Sequence, residues 1–174
     1  PDRLVFTDTN SNEAVFRLAN DVDLQIVLAN GEEILGARQF TSGGAFALEE
    51  ISFADGVLLD TAGIHARTVA DMKSAGAVIG TADAMDIVHT QGDGSYSVWH
   101  RDINNNDLDR LTFAGLNADD AVFAHVGDDL TITLSNGEVV TVLAHFDSWY
   151  MMDEVIFDDL VLSGQALRDR VVSD

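Results

Sequence analysis

Cysteine is absent from the 174 residues, which excludes disulfide scaffolds and thiolate metal sites and leaves the redox compartment unreadable. Basic residues are scarce. Nine Lys+Arg stand against 30 Asp+Glu, the formal charge is −21, and Lys73 is the only lysine. A surface this acidic repels phosphate backbones and anionic headgroups, so nucleic acid and membrane surfaces are poor partners and cations are natural ones. No apolar run approaches the roughly 18–20 residues of a membrane-spanning helix, so membrane insertion is not expected. No charged-then-apolar signal pattern opens the chain. The abrupt start Pro1-Asp2-Arg3-Leu4 reads as a fragment of something longer. A single proline and 14 glycines suit short strands and tight turns, and 47% apolar residues are enough to fold despite the charge.

The sequence repeats itself. Asp2-Arg3-Leu4-Val5-Phe6 recurs as Asp109-Arg110-Leu111-Thr112-Phe113, and Ala14-Val15-Phe16 as Ala121-Val122-Phe123. The run from Asp23 to Glu32 matches the run from Asp129 to Glu138, and Gln39-Phe40 matches His145-Phe146. Phe46 to Phe53 matches Tyr150 to Phe157, and the tail from Ser163 echoes the stretch from Asp60. The period is about 105 residues. Residues 1–75 read as the C-terminal part of one unit with its closing helix, and 76–174 as a nearly complete second unit with its own closing helix.

Within each unit the pattern is that of strands. Leu24, Ile26 and Leu28 alternate with Gln25 and Val27, and Leu130, Ile132 and Leu134 with Thr131 and Thr133, a period of two with one buried face. Asn30-Gly31 and Asn136-Gly137 predict hairpin turns in which both residues take positive φ. Asp60 predicts the cap of a helix over 61–75, with Ile64, Thr68, Val69, Met72 and Ala75 as its buried stripe and Gly76 beyond its end. The fold expected is mainly β: tandem repeat units of short strands and hairpins, β-roll or sandwich-like, with short helices at the unit seams.

The string Gly127-Asp128-Asp129-Leu130-Thr131-Ile132-Thr133-Leu134, followed by Asn136-Gly137-Glu138 and His145-Phe146, resembles the haemolysin-type calcium-binding-related domain of secreted RTX-type repeat proteins. Glu50-Ile51-Ser52-Phe53-Ala54-Asp55-Gly56 is similar to that domain's closing signature, and Gly80 to Asp86 with Gly92 to Tyr96 is similar to its lead-in. The resemblance implies a protein secreted by a type I system or held at the cell surface, with repeats that bind calcium and fold after export. The strict calcium nonapeptide is missing. Gly80 to Val88 keeps one glycine, one aspartate and one apolar residue of it, and Phe157-Asp158-Asp159 lacks the glycine held by Gly56.

Calcium takes six to eight oxygen ligands, and the acidic clusters are where they could come from. Asp102, Asn104, Asp107 and Asp109 form one candidate set. The spacing Asp102-x-Asn104-x-Asn106 imitates the start of an EF-hand loop, then departs from it at Asp107 and Phe113. Asp83, Asp86 and Asp93, near Gly80, Gly92 and Gly94, form a second set. Asp21, Asp23, Asp128 and Asp129 read as turn residues ahead of the hairpin strands.

No enzyme is expected. The five histidines lack zinc spacing, and Ser95, His100 and Asp102 crowd one strand and turn without a nucleophile elbow. Tyr96, Trp99, Trp149 and Tyr150 are the aromatics that could stack on sugar rings, Trp149 first among them because Ala45 stands at its place in the other copy. The function expected is a calcium-responsive structural or adhesive spacer, its neighbours being adjacent repeat units of the same chain. Binding of an extracellular glycan is the alternative.

Overall fold

A computed structural model describes residues 2–41, 47–81, 86–100, 108–147 and 150–173. The chain divides into two compact units, Pro1–Met72 and Lys73–Asp174. The first holds β1 (Arg3–Val5), β2 (Ala14–Ala19), β3 (Asp23–Leu28), β4 (Glu33–Gly36), β5 (Glu50–Ser52), β6 (Leu58–Asp60) and most of α1 (Thr61–Ser74). The second adds β7 (Ala77–Ile79), β8 (Asp86–Thr90) and β9 (Tyr96–Trp99). It then runs through β10 (Arg110–Ala114), β11 (Ala121–Val126), β12 (Asp129–Leu134), β13 (Val139–Val142), β14 (Glu154–Phe157), β15 (Val161–Ser163) and α2 (Gly164–Ser173).

In the first unit, β1 pairs parallel with β5, β5 pairs antiparallel with β6, and β2-β3-β4 forms a separate antiparallel sheet. In the second, β10 pairs parallel with β14, β14 antiparallel with β15, and β11-β12-β13 is again antiparallel. Element for element, the internal order is the same. The second unit carries three more strands: β8 lies parallel on β10, and β9, flanked by β7, lies parallel on β13.

The expected mainly β array of β-roll or sandwich type does not hold. Among the described residues the fold is mixed α and β, with four separate sheets of three, four, five and three strands and two substantial helices. Parallel neighbours need a long crossover instead of a tight turn, and the crossover from β1 to β5 is itself the small sheet β2-β3-β4. A period of two reports which face of a strand is buried. It does not report which strand lies alongside, and that is where expectation and structure part. The helices are longer than short seam pieces, 14 and 10 residues, and each packs within a unit. Ile64 of α1 belongs to the core of the first unit with Phe6, Ala14, Phe16, Leu24, Ile26, Ile51 and Phe53, and α2 packs on β11 and β15.

Each core is built around a stacked pair of phenylalanines just beyond or within the parallel strands. Phe6 and Phe53 stack with centroids 5.1 Å apart, Phe113 and Phe157 at 4.8 Å. A third ring leans on each pair, Phe16 in the first unit and Phe123 in the second. An arginine from the closing helix then covers that third ring, Arg67 over Phe16 at 5.7 Å and Arg170 over Phe123 at 5.8 Å.

Turns follow local chemistry with one shift from expectation. Between β3 and β4 only Gly31 takes positive φ, and its N–H donates to the Leu28 carbonyl at 2.9 Å while Leu28 N–H donates to Glu32 O at 2.8 Å. This is a three-residue loop closed by a left-handed glycine, repeated at Gly137. The adjacent pair of positive φ values lies instead at Asn20-Asp21, between β2 and β3. α1 starts where Asp60 Oδ1 accepts the Gly63 N–H at 2.7 Å, and ends where Gly76, at φ +88°, donates to Lys73 O.

Truncating Phe157 to alanine removes one ring of the stack and the partner of Phe123. The expected cost is about 3–5 kcal/mol, read by urea unfolding, and Phe53→Ala should cost a similar amount in the first unit. A loss below about 1 kcal/mol would show that the stack is not central.

Candidate functional site

Of the seven residues offered as calcium ligands, Asp83, Asp102, Asn104 and Asp107 lie outside the described residues. The other three sit on different elements with different partners. Asp86 opens β8, is exposed, and has Oδ1 3.5 Å from the Arg110 guanidinium. Asp93 lies in the β8–β9 turn, where Oδ2 accepts from Lys73 Nζ at 2.5 Å and from Thr90 N–H at 2.9 Å. Asp109 is fully buried as the ion-pair partner of His100, and its carbonyl accepts the N–H groups of Asp153 and Glu154 at 3.1 Å each. Among the described residues, no three His, Asp or Glu side chains are grouped so as to hold a metal ion.

Many of the acidic residues serve another purpose: they accept backbone N–H groups and hold loops shut. Asp23 Oδ1 accepts from Arg38 N at 2.6 Å, and its counterpart Asp129 accepts from Ala144 N at 2.7 Å. The Asp23 carboxyl is held below its usual range by the Arg38 N–H first and the Asn20 amide second. Asp55 Oδ2 takes the Ser11 hydroxyl at 2.7 Å and the Ser11 N–H at 3.0 Å, which lower its pKa. Its counterpart Asp159 takes the Ala118 N–H at 2.8 Å. The same loop-closing role passes between residue types: Gln39 Oε1 accepts from Leu48 N at 2.7 Å, and His145 Nδ1 accepts from Met152 N at 3.2 Å.

A polar constellation lies at the β8–β9 turn. Glu138 Oε1 accepts from Gly94 N at 2.8 Å and Gly92 N at 3.0 Å, while Asn136 holds the same carboxylate from its own side. His89 is fully buried, with Nδ1 3.2 Å from the Tyr96 hydroxyl and Nε2 3.5 Å from Glu138 Oε2. Lys73 reaches the same place, donating to Val88 O at 2.8 Å and to Asp93, with its ammonium 5.9 Å from the Tyr96 ring centre.

The electrostatics follow from burial and these contacts. Burial pulls the His89 imidazole below its usual pKa, against the opposing pull of Glu138 and Asp93. The Tyr96 phenol is pushed up by burial and by Asp93 and Glu138. Burial raises Asp93, but Lys73 and the Thr90 N–H outweigh it and leave the carboxyl lowered. Glu138 is lowered by the Asn136 amide first, then by Gly94 and Gly92. Carboxylate, imidazole and hydroxyl stand in the order of a proton relay, yet its hydroxyl end is a phenol only 4% exposed. The arrangement holds a turn through the Glu138 and Asp93 carboxylates and the Lys73 ammonium, around two glycines, Gly92 and Gly94, both at positive φ.

The sequence alone does not single out Lys73, His89 and Glu138 here, and it offers Tyr96 only as one of four aromatics that could stack on a sugar. Signals were present. Asp86-Ile87-Val88-His89-Thr90 alternates, so His89 shares the buried face of Ile87, and Glu138 recurs as Glu32. Trp99, at 40% exposure, points away from buried Tyr96, and Trp149 lies outside the described residues. Ser95 Oγ accepts from Val139 N at 2.9 Å, His100 is fully buried beside Asp109, and Asp102 lies outside the described residues. The first unit has an open hollow of about 230 Å³ lined by Asp8, Thr9, Glu13, Leu28, Ala29 and Asn30. Glu13 in it is already engaged by the Asn10 N–H.

His145 yields a pH prediction. Burial, with Arg168, His100 and His125 nearby, lowers its pKa from 6.5 to about 4. Between those values the unfolded chain binds a proton that the folded chain refuses, so stability falls as pH drops from about 6.5 to about 4 and this contribution is flat below that. The loss should reach about 3 kcal/mol. His145→Gln, which installs the residue the first unit uses at Gln39, should keep the Met152 contact and flatten that part of the curve in urea melts at pH 7 and pH 4.5. Identical pH dependence in the two proteins would refute the assignment.

Among the described residues no helix is long and apolar enough to cross a membrane. Compared with known proteins, the chain matches no protein-family model and no curated protein.

Proposed function

We propose that this chain is a non-enzymatic structural module, a spacer or adhesive segment working outside the cell, whose stability responds to calcium. The observation that carries the reading is what the two units share. The common polar contacts are those that keep shape: Asp23 and Asp129 on loop N–H groups, Asp55 and Asp159 on the 3-10 turns, Arg67 and Arg170 on the carbonyls of Ser11 and Ala118. Side-chain chemistry changes freely between copies while the backbone contact stays, as Gln39 and His145 illustrate. Duplication of geometry without duplication of reactive groups is what a scaffold requires.

Calcium enters through the net charge of −21. Carboxylates left over from loop closure repel one another, and divalent cations relieve that repulsion most effectively where the free ion is plentiful. Modules outside the cell bind calcium with Kd around 10⁻⁴–10⁻³ M. One site at tenfold excess over Kd contributes about 1.4 kcal/mol, equivalent to about 3–5 °C in a protein of this size. Thermal melts with millimolar calcium, with EDTA, and with sodium chloride at equal ionic strength test this. Calcium should raise the midpoint beyond the sodium control, whereas equal midpoints in calcium and EDTA would remove the calcium part of the proposal.

A further inference from the structure

The two units differ most at two strand edges. In the second unit, β8 lies along the outer edge of β10, with Ile87 opposite Leu111 and His89 opposite Phe113, and β9 lies along β13, with Tyr96 opposite Val140 and Val98 opposite Val142. In the first unit, β1 and β4 are the corresponding strands, and among the described residues each ends its sheet with no strand beyond it. Their residues are under-covered as a result. Leu111 and Val140 are fully buried, but their counterparts Leu4 and Ile34 are only half-buried. Every position of β1 and β4 is more exposed than its counterpart in β10 and β13. Leu35 is 56% exposed.

A second, independent feature points to an occupant. In the second unit the β8–β9 turn is held by Glu138, whose carboxylate accepts the Gly92 and Gly94 N–H groups while Asn136 fixes it in place. In the first unit Glu32 is fixed in the same way: the Asn30 amide donates to its Oε2 at 2.9 Å, and the Glu32 N–H donates to Asn30 Oδ1 at 2.9 Å. Glu32 is exposed, at the end of the open β4 edge. The hook that holds the turn is therefore built twice, and the turn it holds is present once.

We propose that the open edges of β1 and β4, with Glu32 exposed at the start of β4, form a docking surface for a strand–turn–strand segment of the Asp86–Trp99 type, supplied by polypeptide outside these 174 residues. The recognition is strand addition. Main-chain hydrogen bonds along two edges provide affinity, an inward apolar residue on each added strand covers Leu4 and Ile34, and a glycine-containing turn offers its N–H groups to the Glu32 carboxylate. The short, charged β1 (Arg3 paired with Glu50) limits indiscriminate edge pairing, so selection falls to the turn and its hook.

The test adds a labelled peptide with the sequence of residues 76–100 to the full chain, and follows anisotropy and backbone hydrogen exchange. Saturable binding is expected, with slowed exchange in β1 and β4 and unchanged exchange in β10 and β13. Glu32→Ala, on an exposed side chain, should leave the melt of the free protein unchanged and weaken binding roughly tenfold, since a charged acceptor of two N–H groups is lost. A peptide with Gly92→Ala and Gly94→Ala, both at positions of positive φ, should bind no better than the Glu32→Ala pair. Because an isolated strand pair binds weakly, the same segment is also tethered ahead of Pro1 as a second copy of residues 76–107, which raises its effective concentration. Protection of β1 and β4 should then appear without added peptide. Failure of both the free and the tethered segment to protect these strands overturns the proposal. So does protection of β1 and β4 by self-association of the untreated chain, which would make a second copy the occupant.

Discussion

Each unit depends on holding two short parallel strands together across a long excursion of the chain. β1 and β5 are three residues each, and the segment between their ends forms a sheet of its own. A crossover of that kind costs loop entropy that three rungs of hydrogen bonds do not recover alone. The stacked rings, Phe6 on Phe53 and Phe113 on Phe157, add apolar burial at the C-terminal end of each pair. The third ring of β2 or β11 ties the crossover sheet to the same cluster, and an arginine of the closing helix reaches over it and bonds the chain at its entrance. Parallel pair, crossover sheet and helix are therefore one cooperative cluster in each unit.

Acidic side chains complete what the rings begin. Loops that run between separate sheets leave backbone N–H groups without strand partners, and such groups must be satisfied. Asp23, Asp55, Asp129, Asp159, Glu138 and Asp93 satisfy them, and where a shift is resolved the bonds lower the carboxyl pKa, as at Asp23, Asp55, Asp93 and Glu138. Much of the unusual acidity is thus internal construction. The sole lysine is drawn inward to the same work, on Asp93 and the Val88 carbonyl.

Where the two units diverge, the pressure on each position becomes visible. Gln39 and His145 share an acceptor role but not a titration behaviour, since only the histidine gains a pH response by being buried. Thr9 and Leu116 occupy matching places; the leucine is buried, and the threonine lines a hollow. β8 and β9 bring His89, Tyr96 and the glycine turn onto edges that the first unit leaves open.

The duplication, the buried faces of β3 and β12, and the cap and glycine stop of α1 were legible in the residues themselves, because periodicity, capping and positive-φ glycines are local properties; Ala75, expected in the buried stripe, lies just past the helix and is exposed. The turn role of Asp23 and Asp129 was legible too, though not the partners, which lie fifteen residues away at Arg38 and Ala144. The calcium sets group residues by closeness in sequence, and for the three that are described the fold adds partners the sequence does not announce: Asp86 meets an arginine across a rung, Asp93 a lysine from a helix, and Asp109 a histidine in the core. Likewise Glu138, His89 and Lys73 meet only because β9 lies parallel on β13 and the end of α1 comes to the same turn. Local patterns specify which side of an element faces inward; which elements become neighbours depends on the pairing energy of the whole unit, and that is settled only in the folded chain.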